Sequence, residues 1–219
     1  MSLDRIRLAS LHDKVMNAEQ AAAFIQDGMT VGMSGFTRAG EAKAVPLALV
    51  KRAKADPLKI TLITGASLGN DLDKQLTEAG VLARRLPFQV DNTLRKAINK
   101  GEVMFIDQHL SETVEQMRNQ QLKKPDIAII EAVAITEDGG IIPTTSVGNS
   151  ASFAIFAEKV IVEINTNLSP AFEGLHDIYI PSYRPTRQPI PLTEVDQRIG
   201  TQAINIDPSK IVGIVINNE

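Results

Sequence analysis

The sequence has 219 residues, of which 43% are apolar, and its formal net charge at pH 7 is −3. These values exclude a disordered or fibrous chain, and the absence of cysteine excludes disulfides, thiolate catalysis and cysteine-bound zinc. The sequence shows no long basic run, no apolar leader and no stretch of about 18 apolar residues. We therefore expect a cytoplasmic globular protein that binds neither nucleic acid nor membranes.

Predicted helices and strands alternate along the chain. Asn17 and Gln20 have the spacing of a capping box, which predicts that a helix begins there, and Gly28 suits the left-handed position at its end. Further helices are predicted at 45–56, 71–79, 92–99, 111–121 and 150–157. Short apolar runs rich in β-branched residues predict strands at 30–33, 59–64, 81–86, 103–106, 126–130, 159–164 and 210–216.

Two segments depart from this alternation. Glu137-Asp138-Gly139 is typical of a hairpin turn, here between strands predicted at 132–136 and 140–143. Segment 165–197 is rich in proline and polar residues, and we expect it to run over the surface.

The alternation predicts one α/β domain over residues 1–219, with an open, mostly parallel sheet and helices on both faces. Ligands of such sheets bind at the carboxyl ends of the strands. The candidate site therefore comprises a first loop, 34–44, and a second loop, 65–70, because each follows a predicted strand. The chain ends just after its last predicted strand, which suggests that a second half of the fold is missing.

Charged and metal-ligating residues give few independent signals. Glu131 closes an apolar strand in this interpretation, so partial burial would make it a candidate nucleophile or general base. Glu137 and Asp138 fit solvated turn positions better than catalytic ones. The three histidines are dispersed without metal-ligand spacing, so we expect no metal site.

The two loops are chemically suggestive but ambiguous on spacing alone. Their glycines allow backbone N–H groups to approach a carboxylate or phosphate, and Ser67 adds a hydroxyl. Neither loop has the spacing of a dinucleotide-binding or phosphate-binding motif. Ordinary tight turns remain the alternative interpretation for both.

Several blocks together resemble the acetyl-CoA hydrolase/transferase family, a branch of the class I CoA-transferases. From Asp27-Gly28 to Gly40 the chain follows the class signature of Asp-Gly, an apolar triplet, Gly-Gly-Phe and a later Gly. Ser34 replaces the first glycine of Gly-Gly-Phe, and Ala42 stands where proline is usual, as in that branch. Further collinear blocks of the resemblance are LITGASLG (62–69), VDNTLRKAIN (90–99), EAVAITEDGGIIPTTSVGNS (131–150) and FEGLHDI (172–178).

The resemblance implies that this chain is the N-terminal half of an enzyme about twice as long. In the family chemistry a glutamate of the second half attacks an acyl-CoA thioester. A glutamyl-CoA thioester then passes CoA between acids such as acetate, propionate and succinate. Coenzyme A is thus a substrate and no cofactor is implied, while the implied partners are acyl-CoA, carboxylic acids, the C-terminal half and a second copy in a homodimer. No catalytic residue is assigned to this half, and Glu137 only partly matches the nucleophile motif of the two-subunit relatives.

The implied substrate-binding residues lie in the two loops and after the third strand. The first loop would cover the acyl group, while two hydroxyls would hydrogen-bond the acid's carboxylate. Hydroxyls in such loops also cap helices, so that role stays open for both. The implied set is Gly35, Phe36, Thr37, Gly40, Ser67 and Thr93.

Two alternatives to a transferase remain at this point. One is an acyl-CoA hydrolase on the same scaffold, in which water replaces the acceptor acid. The other is a non-catalytic module that binds small acids or acyl-CoA. For a divided enzyme we expect an exposed apolar patch around the two loops, where the other half would dock.

Overall fold

The computed structural model describes residues 3–69 and 71–218, and a single mixed sheet organises them. Its strand order is β4-β3-β2-β1-β5-β7-β8, with β6 paired antiparallel to β5 and every other pairing parallel. The strands are β1 (Thr30–Met33), β2 (Ile60–Thr64), β3 (Leu82–Leu86), β4 (Met104–Phe105), β5 (Ile127–Ile135), β6 (Ile141–Pro143), β7 (Lys159–Asn165) and β8 (Ile211–Asn217).

Helices cover both faces of the sheet, as predicted. Along β5, Ile127 and Ile129 belong to one buried cluster and Ala128 and Ile130 to another, as expected when alternate side chains point to opposite faces. Four helices contribute side chains to the first cluster, whereas two helices and the N-terminal segment contribute side chains to the second. The helices are α1 (Ala18–Ala22), α2 (Ala44–Ala53), α3 (Leu72–Glu78), α4 (Asn92–Asn99), α5 (Leu110–Arg118) and α6 (Ser150–Phe156).

Two of the predicted helix starts, those of α1 and α4, carry side-chain caps. Asn17 and Gln20 form the expected capping box at α1, and the Asp91 carboxylate accepts a hydrogen bond from the Leu94 N–H at α4. The helix at Asn17 is shorter than predicted, because α1 ends at Ala22. Gly28 has φ +76° as expected, but it lies in the turn before β1 rather than at the helix end.

The predicted hairpin is present, but its first strand is not a separate element. Residues 132–136 continue the strand predicted at 126–130, so β5 is one buried strand of nine residues. Beyond residue 131, β5 no longer pairs with β1 or β7, and residues 132–135 pair with β6, which follows the turn at Glu137. No helix among the described residues is long and apolar enough to cross a membrane.

A long segment between β7 and β8, here called the strap (166–207), runs over the surface as predicted. It contains a 3-10 turn at Pro170–Phe172 and is exposed over much of its length. Ile178 and Thr201 exchange backbone hydrogen bonds of 2.9 and 2.7 Å, and Ile204 pairs with Ile141 of β6. The strap thereby passes near the carboxyl ends of the strands, where the two loops also lie.

Candidate functional site

The two predicted loops touch each other at glycines. A Cβ placed on Gly65 would lie 2.7 Å from the Gly35 carbonyl oxygen, a distance that no side chain tolerates. The Thr37 N–H donates to the Ser67 carbonyl at 2.9 Å, and the two hydroxyl oxygens lie 3.4 Å apart. Because β1 and β2 are neighbours, the loops that follow them form one surface at the carboxyl edge of the sheet.

The first loop has an unusual backbone at its centre. Thr37 has φ +59°, a left-handed conformation that is strained for a β-branched residue. Gly40 has φ +66°, and an added Cβ would lie 2.6 Å from the Ser146 hydroxyl oxygen. Phe36 is 49% exposed, so its ring faces solvent beside the two hydroxyls. The first loop therefore exposes the Phe36 ring and the strained Thr37, and it packs tightly against Ser146 at Gly40.

Thr93 stands apart from the other predicted residues. It lies in the first turn of α4, which follows β3, two strands away from β1. Its hydroxyl makes no hydrogen bond to the other five residues within 3–69 and 71–218. Five of the six predicted residues therefore lie in the two contacting loops, whereas Thr93 follows β3, the strand next to the one that Ser67 follows. The helix-capping role that the sequence left open belongs at α4 to Asp91.

A buried glutamate fixes the end of the first loop. Glu163 of β7 is fully buried and accepts hydrogen bonds of 2.8–3.0 Å from the backbone N–H groups of Lys43, Ala44 and Val45. Burial raises the pKa of Glu163 above its ordinary value, although these three hydrogen bonds act in the opposite direction. The carboxyl group thus occupies the N-terminus of α2 and ties the loop to the sheet.

The expectation that Glu131 ends a strand is wrong, and the contacts of its side chain do not favour a role as nucleophile or general base. Glu131 lies inside β5, is 3% exposed, and forms an ion pair of 2.6 Å with Lys43. The Asn165 amide donates to the same carboxylate at 2.9 Å, and the Thr144 hydroxyl donates to its second oxygen. The Glu131 backbone N–H also donates to the Ser34 hydroxyl. The side chain is fully engaged beneath the loop, so its role is to position Lys43.

The second loop is anchored by a different pair of charges. Arg85 of β3 and Asp73 of α3 form a buried ion pair with two contacts, of 2.8 and 3.2 Å. Arg85 also donates to the Ala66 carbonyl at 3.2 Å. From the first loop, the buried Glu41 carboxylate accepts a hydrogen bond from the Gly69 N–H. Asn70, part of the predicted second loop, lies outside the described residues.

The sequence interpretation missed these anchors, although they left a signal. Glu163 interrupts an apolar strand, and Arg85 belongs to a pair of arginines inside another. A charged residue whose side chain is buried needs a partner: Glu163 finds it in the backbone of the first loop, and Arg85 finds it in Asp73 of α3.

Glu137 and Asp138 are exposed residues of the turn before β6. Glu137 is exposed, and its pKa is lowered mainly by a hydrogen bond to its own backbone and further by Arg7. The solvated turn role expected for Glu137 and Asp138 therefore holds. Within the described residues no cluster of acids and histidines has the arrangement of a metal site.

A cavity of about 480 Å³ opens beside the two loops. Phe36 and Gly65 line it on the loop side, while α5, α6 and the strap form the other walls. Its volume is in the range of small-molecule sites. Among the described residues, the buried acids Glu131 and Glu163 beneath the loops are both engaged in hydrogen bonds.

Comparison with a family model and with curated relatives points to one family. The family model described as the acetyl-CoA hydrolase/transferase N-terminal domain matches residues 2–216. The succinyl-CoA:acetate CoA-transferase of Clostridium kluyveri is 45% identical over 216 residues, which are 98% of this chain and 40% of that protein. The acetyl-CoA hydrolase of Kluyveromyces lactis is 42% identical over 223 residues, covering 97% of this chain and 42% of that protein.

The fold is shared with more distant enzymes. Glutaconate coenzyme A-transferase from Acidaminococcus fermentans superposes with a TM-score of 0.63 at 15% identity, covering 94% of this chain and 76% of that one. This likeness confirms the predicted α/β architecture. The chain spans about two fifths of the length of the curated relatives.

Proposed function

The chain belongs to the acetyl-CoA hydrolase/transferase family, and on that premise we propose that it is the N-terminal half of an enzyme that moves CoA between an acyl-CoA and small carboxylic acids. The covalent steps would use a glutamate outside this chain, through a glutamyl-CoA thioester. Coenzyme A would be a substrate, and no cofactor is part of the proposal. A cytoplasmic location, a homodimer and a role in acetate metabolism belong to the same proposal.

One observation carries this proposal: five predicted residues meet at one edge, while the acids beneath them are engaged. The Ser67 hydroxyl oxygen lies 3.4 Å from that of Thr37, and Thr37 is exposed whereas Ser67 is 4% exposed. Glu131 and Glu163 hold the loop and are buried, so neither is available to attack a thioester. This half would orient the acid and exclude water, which a reactive anhydride requires.

The second half would dock over the same edge. Apolar side chains are exposed after two of the strands there: Phe36 after β1, and Phe88 and Val90, at 46% and 50%, after β3. Exposed apolar groups of this kind mark interaction surfaces when they lie together. They support the proposal that this face is covered by further chain in the complete enzyme.

A hydrolase on the same scaffold is the second candidate, because curated relatives at about 40% identity are named acetyl-CoA hydrolases. The two activities differ only in the acceptor, water or a carboxylate. Dependence of thioester loss on an added acid separates them.

Fusion to a complementary second half tests the proposal. Residues 2–216 would replace the matching part of the Clostridium kluyveri transferase, and CoA transfer from succinyl-CoA to acetate would be measured. We expect transfer that requires acetate. A folded fusion that binds acyl-CoA but neither transfers nor hydrolyses would contradict the proposal, and acetate-independent hydrolysis would favour the second candidate.

A further inference from the structure

One stretch of the strap, residues 179–200, forms a loop whose two ends are held together. Ile178 and Thr201, which flank it, exchange two backbone hydrogen bonds. The Asp177 carboxylate accepts a further hydrogen bond of 2.6 Å from the Gly200 N–H. Loops with close ends are often functional parts of a surface. We call residues 179–200 the lid and the paired residues at its base the hinge.

The lid is attached to the rest of the molecule on one side only. It contains four prolines, which lack the N–H that pairing with a strand needs, and most of residues 181–198 are exposed. Within residues 3–69 and 71–218, every hydrogen bond and ion pair from residues 179–197 to another part of the chain ends on α5. The residues of α5 that make them are Glu112, Glu115 and Arg118.

Glu115 is at the centre of this attachment. One oxygen of its carboxylate accepts hydrogen bonds from Arg187 of the lid and from Arg118 of its own helix. The Nε of Arg184, also in the lid, lies 3.6 Å from the other oxygen. The Arg118 guanidinium in turn lies 4.7 Å from the centre of the Tyr183 ring. Charged contacts and one ring contact therefore hold the lid against α5.

The exposures of these side chains allow the attachment to be broken and re-formed. The Glu115 and Arg118 side chains are 5% and 2% exposed, whereas those of Arg187 and Arg184 are 30% and 55% exposed. If the lid moves away, its arginines return to water, and Glu115 keeps Arg118 as a partner at 2.8 Å. Detachment therefore leaves no buried charge unpaired, which would strongly disfavour it.

The lid also forms part of the wall of the cavity beside the two loops. Its lining residues there are Tyr179, Ile180, Pro181 and Arg187. The cavity is therefore complete only while the lid is attached to α5. We propose that residues 179–200 open and close over this cavity about the hinge, and that Glu115 holds them closed. The proposal goes beyond the proposed function, since it requires no catalytic step.

Limited trypsin digestion of the folded 219-residue chain tests the lid. Trypsin must bind the Arg187 side chain, which Glu115 holds in the closed lid. The rate of the cut between Arg187 and Gln188, identified by mass spectrometry, follows the population of the open lid when opening and closing are fast relative to cleavage. We expect Glu115→Gln to speed this cut about tenfold, because a neutral amide holds arginine less strongly than a carboxylate does.

Two further variants separate loss of the attachment from general loosening of the fold. Tyr183→Ala leaves α5 unchanged and removes the ring beside Arg118, so the cut should become about two- to fivefold faster. Glu112→Gln is the matched control, because it makes the same change on the same helix. The Glu112 side chain is 45% exposed and lies 3.9 Å from Arg184, so the rate should change less than about twofold.

Ionic strength gives a second measurement of the same contacts. Raising NaCl from about 0.05 M to about 0.5 M should speed the cut in the wild type about threefold, because salt screens partly exposed ion pairs. Glu115→Gln should lose most of this dependence. Rates would be divided by those of trypsin on a small peptide in the same salt, so that effects on trypsin itself cancel.

Equal cutting rates in wild type and folded Glu115→Gln would overturn the proposal, and so would equal effects of Glu115→Gln and Glu112→Gln. It also fails if the cut at Arg187 appears only together with digestion of the whole chain, because the lid would then open only by global unfolding. Melting curves verify that each variant is folded. If Glu115→Gln does not fold, an unchanged rate in Tyr183→Ala contradicts the lid. A fusion enzyme without CoA transfer would contradict the proposed function alone.

Discussion

The first and second loops are both glycine-rich and follow neighbouring strands, yet different charges hold them. Glu163 holds the first loop through three backbone N–H groups, and Glu131 acts on it through Lys43. The second loop depends on a buried arginine–aspartate pair, Arg85 with Asp73. The first loop is thus anchored by acids of β5 and β7, on one side of β1, and the second by a pair on β3 and α3, on the other side.

Two glycine-rich loops at the same edge of the sheet can therefore be held in place by different kinds of charged contact. Acids that accept backbone N–H groups can change protonation with little loss of shape, because the neutral form still accepts hydrogen bonds. An ion pair loses its function when either partner is removed, since the other charge stays buried. We therefore expect substitution of the ion pair to destabilise the protein through the second loop. For the first loop, we expect the free energy of unfolding to depend on pH through the protonation of Glu163, with little change of shape.

Removal of Arg85 should have the largest effect. Arg85→Met leaves Asp73 buried without its partner, and we expect the free energy of unfolding to fall by about 3–5 kcal/mol in urea denaturation. The double variant Arg85→Met, Asp73→Leu should recover much of that loss, because no charge then remains buried. If the double variant is as unstable as the single one, the ion pair is not what holds the second loop.

The site hydroxyl of the second loop should matter for activity more than for stability. In the fusion enzyme, Ser67→Ala should lower kcat/KM for the acid about ten- to a hundredfold, since a charge-assisted hydrogen bond is lost. The melting temperature should barely change, because the hydroxyl makes only a long contact of 3.4 Å with the Thr37 hydroxyl, and its loss costs little stability. Lower stability with normal kinetics would instead assign Ser67 to helix capping.

Thr93→Val in the same fusion enzyme tests the more distant hydroxyl. If a ligand spans β2, its effect should match that of Ser67→Ala. If kcat/KM is unchanged, Thr93 does not belong to the site, whereas the hydroxyl pair of Ser67 and Thr37 is unaffected by that result.

The first loop should make stability depend on pH through Glu163. Its pKa is raised by burial, so the folded state favours the neutral acid more than the unfolded state does. The stability this provides is complete below the ordinary pKa of 4.5 and is lost as pH rises through the raised value. The unfolding free energy should therefore fall with rising pH, by at most about 1.4 kcal/mol per unit.

Two variants isolate that slope in urea denaturation between pH 4.5 and 8. Glu163→Gln should remove it, because the amide does not titrate. Glu19→Gln should leave it in place, since Glu19 is exposed and its pKa is lowered, mainly by a hydrogen bond to its own backbone. Parallel curves for wild type and Glu163→Gln would show that Glu163 does not titrate differently on folding.

Relief of backbone strain should have the smallest effect, and should again differ between the loops. Thr37→Gly should raise the unfolding free energy by about 1 kcal/mol, because glycine adopts a positive φ without strain. Asp71, just after the second loop, has a similar φ of +58°, but aspartate tolerates that region better. Asp71→Gly should therefore gain less, and equal gains would contradict a strained first loop.

The fold could be predicted from the sequence because apolar runs and glycines mark each strand and loop. The boundaries of β1 and α4 were predicted to the residue, since Gly28, Asp91 and Gly101 punctuate the chain there. The sequence marks Glu163 and Arg85 as charged residues in strands, but the pairing of Lys43 with Glu131 could not be predicted, because the two are 88 positions apart and meet only through strand order. The cavity depends on where the strap folds back, and a proline-rich segment has no periodicity from which to predict that.

The central claim is that this half binds substrates and that the nucleophile lies elsewhere. Intact mass spectrometry of the isolated chain, incubated with acetyl-CoA and succinate, tests it most directly, alongside an assay for succinyl-CoA. We predict an unchanged mass and no succinyl-CoA, because under the proposed function each covalent step uses a glutamate outside this chain. A CoA-sized adduct on Glu131 or Glu137, or turnover by the isolated chain, would contradict the account.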